Sequence, residues 1–482
     1  MINYRIIARV FSILIVLEGA LMMLSALISY ILGEDVAGSF LKSGIITIII
    51  GILVFTPLKS DEKLTGNREG YIIVSGIWIL LAIFGTLPYL FSGSIKNFID
   101  AFFESMSGFT TTGATIINDV ESLPKGILLW RSLTQWIGGM GIIFLSLYVL
   151  PILKDLTIPL STNDFSGQSA GKIHPRAVDA AKRMIGSYVL LTFVEAAILS
   201  IAGMPVFDSV CQSFSTLSSG GFSVYNNSLS IVSSPFMKVV FTFFMFFSAT
   251  NMAVIYYTIK GNFTRIRENS EFIFYFIICL VFITAIAASL VALHSWPAGT
   301  AILDSAFHVI SVISTTGFYT SDYTLWGSFA LLLIFILMFT GGTAGSASGG
   351  VKIARLMIMT RNNRMELRRL IHPNAYIPVR LNGKIVQQNI VYNILVFVTL
   401  YFIVICISAL AISLLGYDIM TSFGTAASML GNIGPGLGEL GPFHTYADLP
   451  HAGKVFLSML MYLGRLEMMS VLILFSRSFY RR

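Results

Sequence analysis

An all-α polytopic membrane protein is the fold this sequence predicts, with four repeated span, half-helix, span units about a pseudo-fourfold axis after two N-terminal spans. Three observations predict it. The 482 residues are 55% hydrophobic and only 11% charged, with mean hydropathy +0.80, whereas a soluble globule carries about 25% charged residues. The apolar runs are long enough to cross a bilayer as helices, which takes ~20 residues, and the ~10-residue alternating segments of a membrane β-barrel are absent. A short stretch rich in glycine and hydroxyls recurs four times between those runs, at 107–115, 218–222, 314–318 and 431–436.

Residues 1–70 hold the two N-terminal spans, near 8–32 and 43–58. The first follows Arg5 and Arg9 but is longer than a signal-peptide core and is trailed by further spans, so it reads as a retained helix. Pore repeat 1 is 71–151, with spans near 71–91 and 126–150, and a cytoplasmic linker follows at 152–177. Repeat 2 is 178–260, with spans near 178–202 and 232–259. Repeat 3 is 261–360, with spans near 271–293 and 325–360, the latter holding an intramembrane gate loop at 341–352. A basic cytoplasmic linker, 361–386, leads to repeat 4 at 387–482, with spans near 390–415 and 453–479.

Gly113, Gly221, Gly317 and Gly434 stand roughly a hundred residues apart, the period of one reused unit. Aligned on them, the stretches share a serine six residues upstream (Ser107, Ser215, Ser311, Ser428) and a polar residue nine upstream (Glu104, Gln212, His308, Thr425). Thirteen upstream, Asp100, Asp208, Asp304 and Thr421 are expected to cap the half-helices. Most of the 31 Lys and Arg fall on the N-terminal side of the membrane; the other side holds Lys42, Lys96, Lys125, Arg131, Lys238 and Lys454, and Arg465 lies within a span. The positive-inside rule then puts both termini in the cytoplasm. Acids such as Asp119, Glu121, Asp322 and Glu439 lean outward. They concentrate cations through their field, or cap helices, or both. Cys211, Cys279 and Cys406 lie in apolar runs without partner spacing, so neither a disulfide framework nor a zinc site is indicated.

Irregular backbone at membrane depth must be buried in protein or line a water-filled cavity, so four breaks in matched places point to one shared axis. Ringed carbonyls replace the hydration shell of a bare cation. Glycine lets successive carbonyls face the same way, and the half-helices bring the negative ends of their dipoles there. The candidate filter residues are Thr111, Thr112, Gly113, Ser219, Gly220, Gly221, Thr315, Thr316, Gly317, Asn432, Ile433 and Gly434. Any one stretch alone is equally a kink or a close helix contact, and the fourth departs most from the others.

Thr111-Thr112-Gly113-Ala114, Thr315-Thr316-Gly317-Phe318 and Asn432-Ile433-Gly434-Pro435-Gly436 resemble the pore loops of the Trk/Ktr/HKT superfamily of potassium transporters. The likeness runs from Tyr71 onward, with further matches at Trp136-Ile137-Gly138-Gly139-Met140-Gly141 and at 341–352. The two spans before repeat 1 resemble the TrkH/TrkG type of potassium uptake protein rather than the eight-span KtrB type. The resemblance implies potassium uptake across a bacterial cytoplasmic (inner) membrane, with potassium held by the filter residues alone. It also implies a homodimer and a cytosolic nucleotide-binding regulatory ring of the TrkA kind. No cofactor in this chain and no nucleic-acid partner are expected.

In repeat 3, the 341–352 run places Gly341, Gly342, Gly345, Gly349 and Gly350 with Thr343, Ser346 and Ser348, and ends at Lys352. Each glycine costs a helix interior ~1 kcal/mol relative to alanine, so the span is expected to break here. A broken helix beneath a filter is a gate candidate, with Gly345, Ser346, Gly349, Gly350 and Lys352 its residues. The family likeness puts an intramembrane loop at this place and a basic residue, here Arg465, below the filter, where its charge raises the barrier to a cation. A buried structural pair with Glu467 or another acid is the alternative. The spacing does not fit a phosphate loop, because Val351 separates Gly350 from Lys352 and no strand precedes. The basic segment from Lys352 to Lys384 docks a regulatory partner or anionic membrane lipid, or reflects positive-inside bias. Glu18 and Glu195 lie in spans with no partner visible in the sequence. A secondary transporter with midplane binding would show inverted repeats, whereas these units share one orientation; a sodium/potassium-permeable or ion-coupled transporter stays open. An intramembrane enzyme needs a nucleophile with its base or a metal-ligand set, and His308 has no second ligand, so no enzyme is expected.

Overall fold

A computed structural model describes residues 2–56, 67–148, 175–372, 375, 377–382 and 384–480; most of the expected 152–177 linker lies outside them. Helix α1 (Tyr4–Ile31) starts at Asn3, whose Oδ1 accepts from the N–H groups of Arg5 and Ile6, and turns back into α2 (Ala37–Phe55). The pair crosses closely because glycine leaves no side chain between the backbones. A Cβ on Gly19 or Gly44 would stand 3.0 Å from the other's carbonyl oxygen.

Repeat 1 comprises α3 (Asn67–Phe84) with its continuation α4 (Leu87–Ser92), the half-helix α5 (Phe98–Phe109) and α6 (Lys125–Tyr148). Repeat 2 has α7 (Pro175–Ile201), the half-helix α8 (Val206–Leu217), α9 (Pro235–Ser248) and α10 (Met252–Ile259). After the short α11 (Thr264–Arg267) come α12 (Ser270–His294), the half-helix α13 (Ala298–Ile313), α14 (Ser328–Met338) and α15 (Ile353–Ile371). A hairpin of β1 (Arg380–Leu381) and β2 (Lys384–Ile385) leads to α16 (Gln388–Ser413), the half-helix α17 (Ile419–Gly431), α18 (His451–Arg465), α19 (Met469–Leu472) and α20 (Arg477–Tyr480).

The repeats close into a ring. Helix α6 packs on α8, α9 on α13, α14 on α17, and α18 back on α5, so the second span of each repeat seats the half-helix of the next. Outward, α12 and α16 expose Phe276, Ile277, Val281, Phe402, Ile407 and Leu410. Water would penalise such a surface, whereas a hydrocarbon layer of matching thickness accommodates it.

The structure corrects several expectations. Two spans expected to be continuous are bent, by 115° between α9 and α10 and by 106° between α18 and Met469–Phe475. At the first bend, Asn251 Oδ1 accepts from Ala253 N to start α10. The carbonyls of Ser248 and Ala249, which a continuing helix would use, accept instead from the N–H groups of Ala347 and Thr343. At the second, Glu467 and Met468 take φ of 55° and 41°, which no right-handed helix passes through. By length and composition, six of the described helices are long enough to cross a membrane, or up to eight with each bent pair counted as one. The half-helix caps also differ. Asn97 and Asp418 cap α5 and α17 through their side chains, and α8 and α13 begin after Pro205 and Pro297. Asp100, Asp208 and Asp304 lie within the helices and tie them outward, to Lys454 Nζ at 2.8 Å, the Tyr225 hydroxyl at 2.7 Å and Lys238 Nζ at 2.8 Å. Helix α15 runs past Thr360 to Ile371, so the opening of the 361–386 segment is helical.

Candidate ion pathway

Taking the half-helix N-termini as the top, all four half-helices end below in one way. Thr111, Ser219, Thr315 and Asn432 take left-handed φ of 52°, 55°, 57° and 56°. The N–H of the next residue returns to the upstream serine carbonyl, Thr112 to Ser107, Gly220 to Ser215, Thr316 to Ser311 and Ile433 to Ser428, at 2.8 or 2.9 Å. This is the Schellman ending of a helix, with a side chain where glycine is usual. A β-branched residue there carries strain of about 1–3 kcal/mol. Three of the four side chains use the position to engage what lies beneath. Thr315 Oγ1 accepts from Gly349 N at 2.7 Å, Ser219 Oγ meets Ser248 Oγ at 3.0 Å, and Asn432 Nδ2 donates to Met461 O at 2.8 Å.

Two residues on, Gly113, Gly221, Gly317 and Gly434 take φ of 80°, 78°, 75° and 101°. A Cβ on Gly113 would collide with Gly220 O, on Gly221 with Thr316 O, on Gly317 with Ile433 O, and on Gly434 with Thr112 O. Each glycine abuts the next repeat's strand and the fourth abuts the first, so the four strands form a closed ring of main chain. The carbonyl of Gly434 accepts from the Tyr446 hydroxyl at 2.9 Å.

Polar residues on the half-helices brace the strands that climb away from the ring. Glu104 accepts from Ile116 N at 3.0 Å and pairs with Arg131 at 2.9 Å, Gln212 Nε2 donates to Ser223 Oγ at 2.8 Å, and His308 Nε2 lies 3.2 Å from Ser321 O. At the mouth, Asn226 Oδ1 accepts from Val120 N at 2.6 Å and its Nδ2 donates to Asp119 at 3.0 Å. That amide, with Ser122, holds the Asp119 carboxyl below its usual range, so negative charge persists there.

Below the ring, the 340–352 chain is irregular and almost wholly buried. Gly341 N donates to Val351 O at 2.7 Å across the neck of the loop. Thr343 N donates to Ala249 O at 2.8 Å, Asn251 Nδ2 to Ala344 O at 2.7 Å, and Ala344 N to Glu271 Oε1 at 2.6 Å. A Cβ on Gly349 would collide with Gly431 O, so the loop presses on the base of the fourth strand. Gly345 and Gly350 take φ of 80° and 64°. Ser346 Oγ meets Ser348 Oγ at 2.8 Å, and Lys352 Nζ folds back onto Ser348 O at 2.6 Å. Arg465 donates to Ala347 O at 2.8 Å and to Gly138 O at 3.1 Å, bridging the loop to α6. Glu467 pairs with Arg355 instead, so the alternative Arg465–Glu467 pair does not form.

The TrkH family pattern, described as a cation transport protein, matches residues 37–480. The chain belongs to the TrkH family. The Trk system potassium uptake protein TrkH of Salmonella typhimurium is 33% identical over 483 residues, 99% of this chain and 100% of that protein. The Trk system potassium uptake protein TrkG of Escherichia coli (strain K12) is 33% identical over 430 residues, 89% and 88% of the two chains. The crystal structure of the potassium transporter TrkH from Vibrio parahaemolyticus matches with a TM-score of 0.92 at 30% identity, covering 100% of both chains. A TrkH-family chain with these apolar helices is a multi-pass membrane transport protein.

Within this TrkH-family fold, the twelve candidate filter residues come together at the ring and the six candidate gate residues gather beneath it. Sequence reasoning missed Gln135, Tyr446, Asn251 and Glu271. Arg131 and Gln135 carried a usable signal, since a charge and an amide four residues apart in an apolar span occupy one helix face. Tyr446 carried none, because its hydroxyl reaches Gly434 only through the folding of the loop after α17.

Proposed function

We propose that this protein takes up potassium across a bacterial cytoplasmic membrane, through the ring of main-chain carbonyls built by Thr111–Gly113 and its three counterparts. The closed ring of Gly113, Gly221, Gly317 and Gly434 carries the reading, and relatives of nearly full length are named potassium uptake proteins. Four strands from one chain offer oxygens at fixed spacing to an ion that has shed its water. The 341–352 loop and Arg465 form the gate beneath. The loop fills the path under the ring, and the guanidinium opposes a cation until loop and helix end move together. Both termini face the cytoplasm, a second copy of the chain completes a homodimer in the lipid membrane, and a cytosolic nucleotide-binding ring of the TrkA kind acts on the gate. The chain itself needs no cofactor. Uptake of Rb⁺ into proteoliposomes holding the purified protein, competed by K⁺ but not by Na⁺, is the expected result; equal competition by Na⁺ would falsify the reading.

A further inference from the structure

The second strand of the ring departs from the first and third. Where those have Thr112 and Thr316, it has Gly220. The space that a side chain on Gly220 would fill is taken by Gln135 of α6, whose Cδ a Cβ there would strike. Gln135 is wholly buried and makes two bonds to the strand. Its Nε2 donates to Gly220 O at 2.6 Å, and its Oε1 accepts from Phe222 N at 3.1 Å. The amide thus brackets Gly221 from behind, as a neighbouring strand would. Among the described residues, Gly220 is the member of its ring level whose carbonyl takes a protein donor, unlike Thr112, Thr316 and Ile433. One turn up the same face of α6, Arg131 lies 4.2 Å from the centre of the Phe222 ring and donates to Ser223 O at 3.0 Å.

We propose that Gln135 is a positioning residue that sets ion selectivity, by fixing the Gly220 carbonyl and so the width of the ring at that level. In the first and third strands the residue at this level is instead tethered by its own side chain. Thr112 Oγ1 meets Thr110 Oγ1 at 2.8 Å, and Thr316 Oγ1 meets Ser314 Oγ at 2.8 Å. In the second strand the side chain is absent and a neighbouring repeat supplies the tether. A carbonyl held by a buried amide does not swing inward to surround a smaller ion, whereas a freed one does. The inference rests on the ring being the ion filter.

The test is K⁺ and Na⁺ competition against Rb⁺ uptake in proteoliposomes, with protein that elutes as wild type does in size exclusion. Gln135→Met keeps the length and loses both bonds. The loss of a buried hydrogen bond predicts a fall in K⁺ over Na⁺ discrimination of roughly tenfold, with maximal uptake changed less. Where that variant does not assemble, Gln135→Glu keeps the acceptor, loses the donor, and is expected to shift discrimination in the same direction. Gly220→Thr alone is expected to abolish uptake, and Gly220→Thr combined with Gln135→Ala to recover both uptake and discrimination. Unchanged discrimination in Gln135→Met or Gln135→Glu overturns the inference, as does a double variant whose losses are the sum of the two singles. A wild-type protein that fails to discriminate overturns the filter reading instead.

Discussion

The side chains at the four helix ends show how a strained position is held by what it touches. Thr315 in the left-handed region is less stable than glycine there, but its hydroxyl accepts from Gly349 and ties the third strand to the loop. Thr315→Gly is therefore expected to relax the backbone and free the loop, raising uptake in the resting state while melting temperature changes by only a few degrees, as scanning fluorimetry would record. Gly221 allows no such exchange. Gly221→Ala puts a methyl group into Thr316 O, and Rb⁺ uptake should be abolished at normal expression; retained selective uptake would count against the ring. Gly113→Ser presses on Gly220 O and is expected to admit Na⁺, read as Na⁺ competing for Rb⁺ uptake. Tyr446→Phe removes the donor on Gly434 O, worth about 1 kcal/mol, and should shift the half-saturating K⁺ concentration about fivefold.

At the scale of the element, glycine spacing made the broken span of repeat 3 legible, since five glycines and three hydroxyls cannot hold a membrane helix. The bends after α9 and α18 were not legible. Ser248, Ala249 and Asn251 look like ordinary helix residues until the loop arrives to take their carbonyls and amide. The half-helix starts were misplaced for a related reason. Asp100 and Asp304 resemble caps, yet each is held inside its helix by a lysine from a neighbouring repeat, which only the tertiary fold supplies. Asn251→Ala removes both the α10 cap and the bond to Ala344 O, at a cost of about 1–2 kcal/mol. It is expected to loosen the loop, measured as faster protease cleavage or a cysteine placed at Ser346 becoming reactive to a thiol reagent. Shortening the loop within 345–350 should likewise raise basal uptake, and lost uptake in a correctly assembled protein would assign the loop to packing.

The repeat pattern at the scale of the molecule followed from four glycines, but the ring order did not, because strand neighbours are set by which second span seats which half-helix. The seam between the last repeat and the first is the longest-range part of that order, fastened by Lys454 and Asp100, 354 positions apart in the chain. Exchanging the two, as Lys454→Asp with Asp100→Lys, is expected to restore thermal stability that either single change lowers. The same seam has a consequence for biosynthesis. Until α17 and the strand that follows it leave the ribosome and insert, the first strand has no neighbour on one side, and the nascent protein is an open horseshoe. A message cut short before Ile419 would therefore yield a chain with three of four quadrants built and none sealed, a form for the quality-control proteases of the membrane rather than a leaky pore.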